Sequence, residues 1–101
     1  LLVVGWGSTF GAIKTAVDKK REEGKSVSRI HIRYLNPLPN DLGDILRRFK
    51  KILVPEINDG QFVNILRAKY LVPAISQSKV QGLPFFPSEI EEKIDELLGD
   101  V

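Results

Sequence analysis

Residues 1–11 read LLVVGWGSTFG, and residues 52–61 read ILVPEINDGQ. Each segment is a run of apolar residues that ends in a polar, glycine-bearing turn and passes into a helical pattern. Such runs are typical of strands in a parallel sheet whose two faces are both covered by helices. Because ligands and partners collect at the carboxyl ends of parallel strands, the two turns also mark where function is to be sought.

The composition is that of one globular domain. The chain has 101 residues, of which 43% are hydrophobic and 28% are charged, and its net charge is +2. Basic and acidic residues are interleaved, so the charge pattern gives no argument for a nucleic-acid partner. No apolar run approaches the roughly 18 residues of a membrane helix, and no signal peptide is recognisable, so we expect no membrane association.

Two residue types are missing from the sequence. The absence of cysteine excludes disulfides, thiolate zinc sites and iron–sulfur ligation within these residues, and it is compatible with a cytoplasmic protein. The chain also lacks methionine and starts inside a predicted strand. We therefore interpret residues 1–101 as a single domain that is a fragment of a longer subunit.

The pattern along the chain predicts the order β-α-β-α-β-α-β-α. We expect strands over residues 1–6, 27–35, 51–57 and 75–80. Ser8 or Thr9 is expected to cap the first helix, and Ser88 with Glu91 to form a capping box on the last. Right-handed crossovers then give a three-layer α/β/α domain with a mainly parallel sheet, in which the first strand lies between the second and the third.

The second predicted strand alternates in polarity. Ile30 and Ile32 point to one face, whereas Arg29, His31 and Arg33 point to the other. This pattern is typical of an edge strand, or of a strand that meets a partner. His31 between two arginines could bind an anion, but a solvated or interface strand face is the better interpretation. We expect residues 52–54 to be fully buried and both arginines to be accessible.

The glycines at 5, 7 and 11 follow a strand and open a helix, as in a nucleotide-binding loop. Their spacing is one residue too long for the dinucleotide pattern G-x-G-x-x-G, and no acidic residue ends the second strand to hold a ribose. A tight turn that brings the helix close to the strand is therefore favoured. Gly7, Ser8 and Thr9 remain candidates for contact with an anionic group or cofactor at the helix N-terminus.

Glu56 stands at the mouth of the third strand and could act as a general base. A base needs an orienting partner, and the single histidine lies on another strand, so a structural or interface carboxylate is favoured. No nucleophile–base pair and no metal-ligand cluster can be assembled from the sequence, and no catalytic or metal-binding residue is assigned. The expected rim at the strand ends holds neutral hydrogen-bonding groups, which favour a subunit interface: Gly7, Ser8, Thr9, Asn36, Pro37, Glu56, Asn58 and Gln61.

Four segments together resemble one known family. They read VVGWGSTFGAI at 3–13, RYLNPLP at 33–39, LVPEINDGQ at 53–61 and KVQGLPF at 79–85, the last followed by Glu89-Ile90. The resemblance is to the C-terminal domain of the alpha subunit of 2-oxoacid:ferredoxin oxidoreductases, most like the 2-oxoglutarate enzymes. The sequence is also similar, more distantly, to the C-terminal domain of transketolases and of the pyruvate dehydrogenase beta subunit.

The resemblance implies a parent enzyme that decarboxylates a 2-oxoacid on thiamine diphosphate with magnesium. It further implies electron transfer through an iron–sulfur cluster to ferredoxin and acyl transfer to coenzyme A, with the cofactors held by other domains and subunits. This domain would then be a noncatalytic, transketolase C-terminal-like packing and contact module in an oligomeric complex with the beta subunit.

Two alternatives stay open at this point. The chain could be a free-standing coenzyme A- or nucleotide-binding module that uses the loop from Gly5 to Gly11, or the C-terminal domain of a transketolase or 2-oxoacid dehydrogenase.

Overall fold

Eight main elements make up the computed structural model, which describes residues 1–33, 40–56, 61–79 and 85–99, the side chains of Ser8 and Gln61 excepted. They are β1 (Leu2–Trp6), α1 (Phe10–Glu22), β2 (Ser28–Ile32), α2 (Leu42–Arg47), β3 (Ile52–Glu56), α3 (Gln61–Tyr70), β4 (Ala74–Ser78) and α4 (Pro87–Gly99). A 3-10 turn over Gly7–Thr9 connects β1 to α1. The predicted order of strands and helices is confirmed.

The four strands form one parallel sheet in the order β2-β1-β3-β4. The predicted central position of the first strand and edge position of the second are therefore confirmed. The described strand bounds lie within two residues of the predicted ones except at the end of β2, and the predicted ends at residues 35, 57 and 80 fall outside the described residues. In register, Leu2 lies opposite both Ser28 and Ile52.

Helices cover both faces of the sheet. Leu2 and Val4 pack on one face with side chains from α2 and α3, whereas Val3 packs on the other face with side chains from α1 and α4. Ile52, Leu53 and Val54 are each at most 1% exposed, as expected for a strand buried on both faces. The three-layer α/β/α prediction is confirmed. None of the helices in the described part of the chain has the length and apolar character to cross a membrane.

The edge strand β2 agrees in part with its predicted exposure. Arg33 follows the strand and is exposed, as expected. Arg29 is only half-exposed, because its guanidinium Nε lies 3.7 Å from the carboxylate of Asp18 on α1.

Gly5 sets how closely α1 approaches β1. A Cβ at this position would lie 2.5 Å from Cδ1 of Ile13 and 3.3 Å from Oγ1 of Thr9. Gly11, by contrast, lies in the exposed first turn of α1, and a Cβ there would meet no atom within 4 Å. Gly5 and Gly11 therefore have different roles, and of these two only Gly5 is required by packing.

Gly5→Ala should lower the free energy of unfolding by about 1–3 kcal/mol, because the added methyl group overpacks the contact with Ile13. Gly11→Ala is the matched control, and it should raise the stability by about 0.5–1 kcal/mol, since alanine restricts the unfolded chain and favours helix. Urea denaturation of the two variants measures the difference. Equal stability of both variants would contradict this account of Gly5.

A buried lysine holds the two helices of one layer together. Lys20 of α1 is 6% exposed, and its ammonium donates to Asp95 Oδ2 of α4 at 2.7 Å and to Glu23 Oε1 at 3.3 Å. The hydrogen bond from Lys20 lowers the pKa of Asp95, and the bond to Asp95 raises the pKa of Lys20. Both shifts favour the ionised pair, so the pair stabilises the contact between α1 and α4.

Stability should fall in acid because the pKa of Asp95 is lower in the folded chain than in the unfolded chain. The contribution of Asp95 is present above its ordinary pKa and is lost as the pH falls through its folded pKa. The contribution of Lys20 is lost only in strong base, as the pH rises through its raised pKa. Asp95→Asn should therefore reduce the loss of stability between about pH 7 and pH 3. Denaturation at each pH tests this, with Glu92→Gln, an exposed position of α4, as the control that keeps the full loss.

The predicted capping box on the last helix is wrong, and of the two candidates for the first helix Thr9 lies at the N-cap position without a capping bond, while the side chain of Ser8 is not described. The hydroxyl of Thr9 does not cap α1 but donates back to the carbonyl of Trp6 at 3.0 Å, within the 3-10 turn. The last helix starts one residue before Ser88, with Pro87 in its first turn, and Glu89 Oε1 accepts the backbone N–H of Phe86 at 2.8 Å. The proline fixes the start of the helix, so the capping carboxylate is Glu89 rather than Glu91.

Candidate functional site

The rim at the carboxyl ends of β1 and β3 begins with the turn after β1. Gly7 has a φ of +67° and is exposed, and a Cβ there would meet no atom within 4 Å. The glycine is thus required by backbone conformation rather than by packing, because a side chain disfavours this left-handed region. The favoured interpretation of a tight turn agrees with this geometry.

Thr9 and Trp6 close this turn from within. Thr9 is 4% exposed, and its hydroxyl donates a hydrogen bond to the Trp6 carbonyl. The centroid of the half-buried Trp6 ring lies 5.8 Å from that of Phe62 on α3. Trp6 therefore packs with the core on the face of the sheet that α2 and α3 cover. Thr9 supports the rim from inside and does not offer its hydroxyl to a partner.

Glu56 occupies the end of β3 as a buried carboxylate that is 1% exposed. Its Oε1 accepts the backbone N–H of Phe62 at 2.8 Å, and its Oε2 accepts that of Val63 at 3.0 Å. Both bonds fall in the first turn of α3, where helical N–H groups have no intrahelical partner and the helix dipole favours a negative charge. Glu56 therefore couples β3 to α3, and its two oxygens are already occupied.

Glu56→Gln should destabilise the domain by about 1–3 kcal/mol, because an amide offers one acceptor oxygen and turns its NH₂ group toward the second N–H. The neutral side chain also loses the favourable interaction with the helix dipole. Urea denaturation is the measurement, and Glu22→Gln, at an exposed position, is the control that should change little. Wild-type stability of Glu56→Gln would show that these hydrogen bonds contribute nothing.

An aromatic and basic cluster lies beside the rim at the start of α1. Phe10 is 45% exposed, its ring meets the imidazole of His31 edge-on at 5.1 Å, and the Arg29 guanidinium lies 5.8 Å from its centroid. His31 Nδ1 is buried and has no hydrogen-bond partner among the described residues. Helical spacing puts Phe10 on the same face of α1 as Ile13, but Ile13 is buried whereas Phe10, at the first position of the helix, stays exposed.

A second exposed aromatic ring, which the sequence analysis did not assign to the rim, precedes α4. Phe86 is 58% exposed, whereas its neighbour Phe85 is buried. The ammonium of Lys79 lies 4.9 Å from the Phe86 ring centroid and pairs with Glu89, whose pKa is lowered mainly by that bond. Two adjacent phenylalanines in the sequence indicate an aromatic anchor for the core or an interface, but they do not indicate which of the two rings is exposed.

The structure brings together only part of the predicted rim. Gly7, Thr9 and Glu56 are described, and each is explained by backbone conformation or internal hydrogen bonding. Asn36, Pro37 and Asn58 lie outside the described residues, and the side chains of Ser8 and Gln61 are not described. Within the described part of the chain, no group of three or more histidine, aspartate or glutamate side chains could hold a metal ion.

Residues 1–81 match the family described as "Pyruvate:ferredoxin oxidoreductase core domain II". The chain is 48% identical over 90 residues to "2-oxoglutarate oxidoreductase subunit KorA" of Mycobacterium tuberculosis, a match that covers 89% of this chain and 14% of that protein. It is 33% identical over 96 residues to "2-oxoglutarate synthase subunit KorA" of Methanocaldococcus jannaschii, which covers 93% of this chain and 26% of that protein.

A solved structure shares the fold. It is that of the 2-oxoglutarate:ferredoxin oxidoreductase from Magnetococcus marinus with 2-oxoglutarate, coenzyme A and succinyl-CoA bound. The TM-score is 0.90 at 31% identity, and the match covers 96% of this chain and 17% of that chain. The present chain thus spans a small part of the relatives that it matches.

Proposed function

The chain belongs to the pyruvate:ferredoxin oxidoreductase core domain II family, and from this premise we propose that it is a noncatalytic contact domain of a 2-oxoacid:ferredoxin oxidoreductase. The membership confirms the resemblance to the alpha subunit found in the sequence motifs. The observation that carries the proposal is the state of the rim. Its described polar groups, Thr9 and Glu56, are satisfied within the domain, whereas Phe10 is left exposed.

Such a rim is suited to contact and not to chemistry. A general base or a metal ligand needs an accessible carboxylate, whereas Glu56 is 1% exposed and each of its oxygens accepts an N–H of α3. Exposed aromatic rings, in contrast, are enriched at the centres of protein interfaces. The rim that includes Gly7, Ser8, Thr9, Asn36, Pro37, Glu56, Asn58 and Gln61 is therefore proposed as an interface with other domains of the subunit or with a partner subunit.

The reaction of the complete enzyme is proposed from the relatives. Their names support oxidation of a 2-oxoacid, with 2-oxoglutarate as the first candidate. The family chemistry would require thiamine diphosphate with magnesium, an iron–sulfur cluster, coenzyme A and ferredoxin. The described residues do not fit a ligand set for the metal groups, because the rim carboxylate is occupied and the chain has no cysteine. We assign those groups to other parts of the enzyme.

A contribution to coenzyme A binding is the second candidate function. It is supported by the coenzyme A bound in the Magnetococcus marinus relative and by the tight turn at Gly7, which opens the N-terminus of α1. Isothermal titration of the complete enzyme with coenzyme A separates the two candidates when it is combined with the rim variant below.

Phe10→Asp should weaken assembly of the complete oxidoreductase by about tenfold or more, because a charge replaces an apolar ring in the proposed interface. The variant should still fold, since an aspartate suits the first turn of a helix and lies beside Arg29. Sedimentation of the purified complex measures assembly. Thr15→Asp, an exposed position further along α1, is the control that should assemble normally.

Activity decides between contact and catalysis. The assembled fraction of Phe10→Asp should turn over 2-oxoacid as the wild-type enzyme does. Normal assembly combined with a loss of turnover of about a thousandfold would overturn the noncatalytic interpretation. Normal assembly with weakened binding of coenzyme A would favour the second candidate.

A further inference from the structure

The strand β4 forms one lateral edge of the sheet, because β3 is its only neighbour among the described strands. Just after β4, the N–H of Lys79 donates to the carbonyl of Glu56 at 3.0 Å. Since the main chain of a strand bonds to one neighbour at every second residue, the odd-numbered residues of β4 face β3. The N–H and C=O groups of Ala74, Ser76 and Ser78 therefore point away from the sheet.

Only a short part of this edge is open to pairing. The N–H of Ala74 donates to the Val72 carbonyl at 2.9 Å, and the Ala74 carbonyl accepts a bond from Nε of Arg67 at 2.9 Å. No hydrogen bond from another described residue reaches the main-chain groups of Ser76 or Ser78. The β4 edge, defined as residues 76–78, thus offers two donors and two acceptors.

The β4 edge lacks the features by which sheets avoid pairing with other strands. The strand reads AISQS, without a charge or a proline. The ammonium of Lys79, which follows it, is paired with Glu89. In contrast, the opposite lateral edge, β2, carries Arg29 and is followed by the exposed Arg33. Because charged side chains and prolines protect exposed edges, this difference indicates that β4 is the edge that another strand covers.

The open groups of the β4 edge are complementary to those of a second copy. In an antiparallel pair with a two-fold axis at Gln77, Ser76 of one copy lies opposite Ser78 of the other, and each such pair exchanges two main-chain hydrogen bonds. The two pairs use all the open donors and acceptors of both copies and leave Ala74 outside. Pairing of β4 with the β2 edge of another copy would be head-to-tail and would not close.

The side chains agree with this arrangement. The hydroxyls of Ser76 and Ser78 lie 3.0 Å apart on one face, where two-fold pairing sets serine opposite serine, a combination that can share hydrogen bonds across strands. On the other face, Nε2 of Gln77 donates to the Glu89 carbonyl at 3.1 Å, whereas its Oε1 has no partner among the described residues. The axis brings a second Gln77 amide beside the first, and its remaining N–H is the kind of donor that Oε1 lacks.

We propose that β4 pairs with β4 of a second copy of this chain, antiparallel about a two-fold axis at Gln77. Two four-stranded sheets then continue into one another within the assembled oxidoreductase. This surface is separate from the rim, so the proposal goes beyond the contact role proposed above. Open main-chain groups on an uncharged strand favour an extended protein strand over a nucleic acid, which would require basic side chains for its phosphates.

A disulfide trap in the complete enzyme tests the pairing. The two Cα atoms of residue 77 should lie about 4.5 Å apart, within the range that a disulfide bridges. Residues 1–101 contain no cysteine. Gln77→Cys should therefore give, on mild oxidation, a disulfide that joins position 77 of two copies, identified by mass spectrometry. Ser76→Cys is the matched control, because its two copies lie diagonally, about 7–8 Å apart, and should not be joined.

Two further variants act on the pairing itself. Ser76→Lys, added to Gln77→Cys, should lower the disulfide yield by about tenfold, since a lysine on an edge strand opposes strand pairing. Asn64→Lys adds the same charge at an exposed position of α3 and should leave the yield unchanged. Ser78→Pro should also lower the yield, because it removes an outward N–H and no bond to β3, so that β4 keeps its place in the sheet.

Three outcomes would overturn the proposal. The first is that no disulfide joins position 77 of two copies, and the second is an equal yield at position 76, which indicates random collision. The third is a disulfide from position 77 only to a cysteine outside residues 1–101, which indicates that a different segment covers the edge. Phe10→Asp reports on the rim separately. Weakened assembly of that variant without the disulfide at position 77 leaves the rim proposal standing, and normal assembly with the disulfide does the reverse.

Discussion

Burial of the two central strands on both faces is the constraint on which this structure depends. Val3 and Leu53 are covered by α1 and α4, while Leu2 and Val4 are covered by α2 and α3. A one-residue shift of either strand would exchange these faces, so register and layers are fixed together. Because each parallel strand must return through a helix, the carboxyl ends of β1 and β3 and the starts of α1 and α3 lie at one edge of the sheet. The rim is therefore a consequence of the same burial.

The two helical layers are attached to the sheet by different means. Beside its apolar core, the α1–α4 layer has ion pairs such as Lys20–Asp95, whereas α2 and α3 meet through the packing of Tyr70 on Gly43. In the first layer, Lys14, Lys19 and Lys20 are each paired with a carboxylate. In the second layer Arg47 pairs with Asp44, and no ion pair is recorded for the exposed Arg48, Lys50 and Lys69 among the described residues. A chain with a net charge of only +2 thus acquires one basic face without any basic run in its sequence.

The strands and layers could be predicted because they depend on patterns that are local in the chain. Runs such as residues 52–54 define a strand buried on both faces, and the alternation of β2 defines an edge. The site could not be predicted to the same depth. The bonds from Glu56 to Phe62 and Val63 join residues on different elements, a pairing for which the sequence carries no local signal. The sequence also did not decide whether the Thr9 hydroxyl would bond to the helix that follows it or to the strand before it. The left-handed backbone of Leu71, with a φ of 56°, could not be predicted either, because this conformation is expected at glycine and not at leucine.

The exposed apolar residues also bear on what such a domain can do in a large enzyme. Phe10 begins α1, after the carboxyl end of β1, and Leu71 lies before the amino end of β4, so the two residues belong to connections at opposite edges of the parallel sheet. Five residues of strand span about 17 Å. The sheet between them is held by side chains that are almost wholly buried, and such close-packed interiors are poorly compressible. Contacts made at both edges of the sheet would therefore be kept at a fixed distance from each other by this packing.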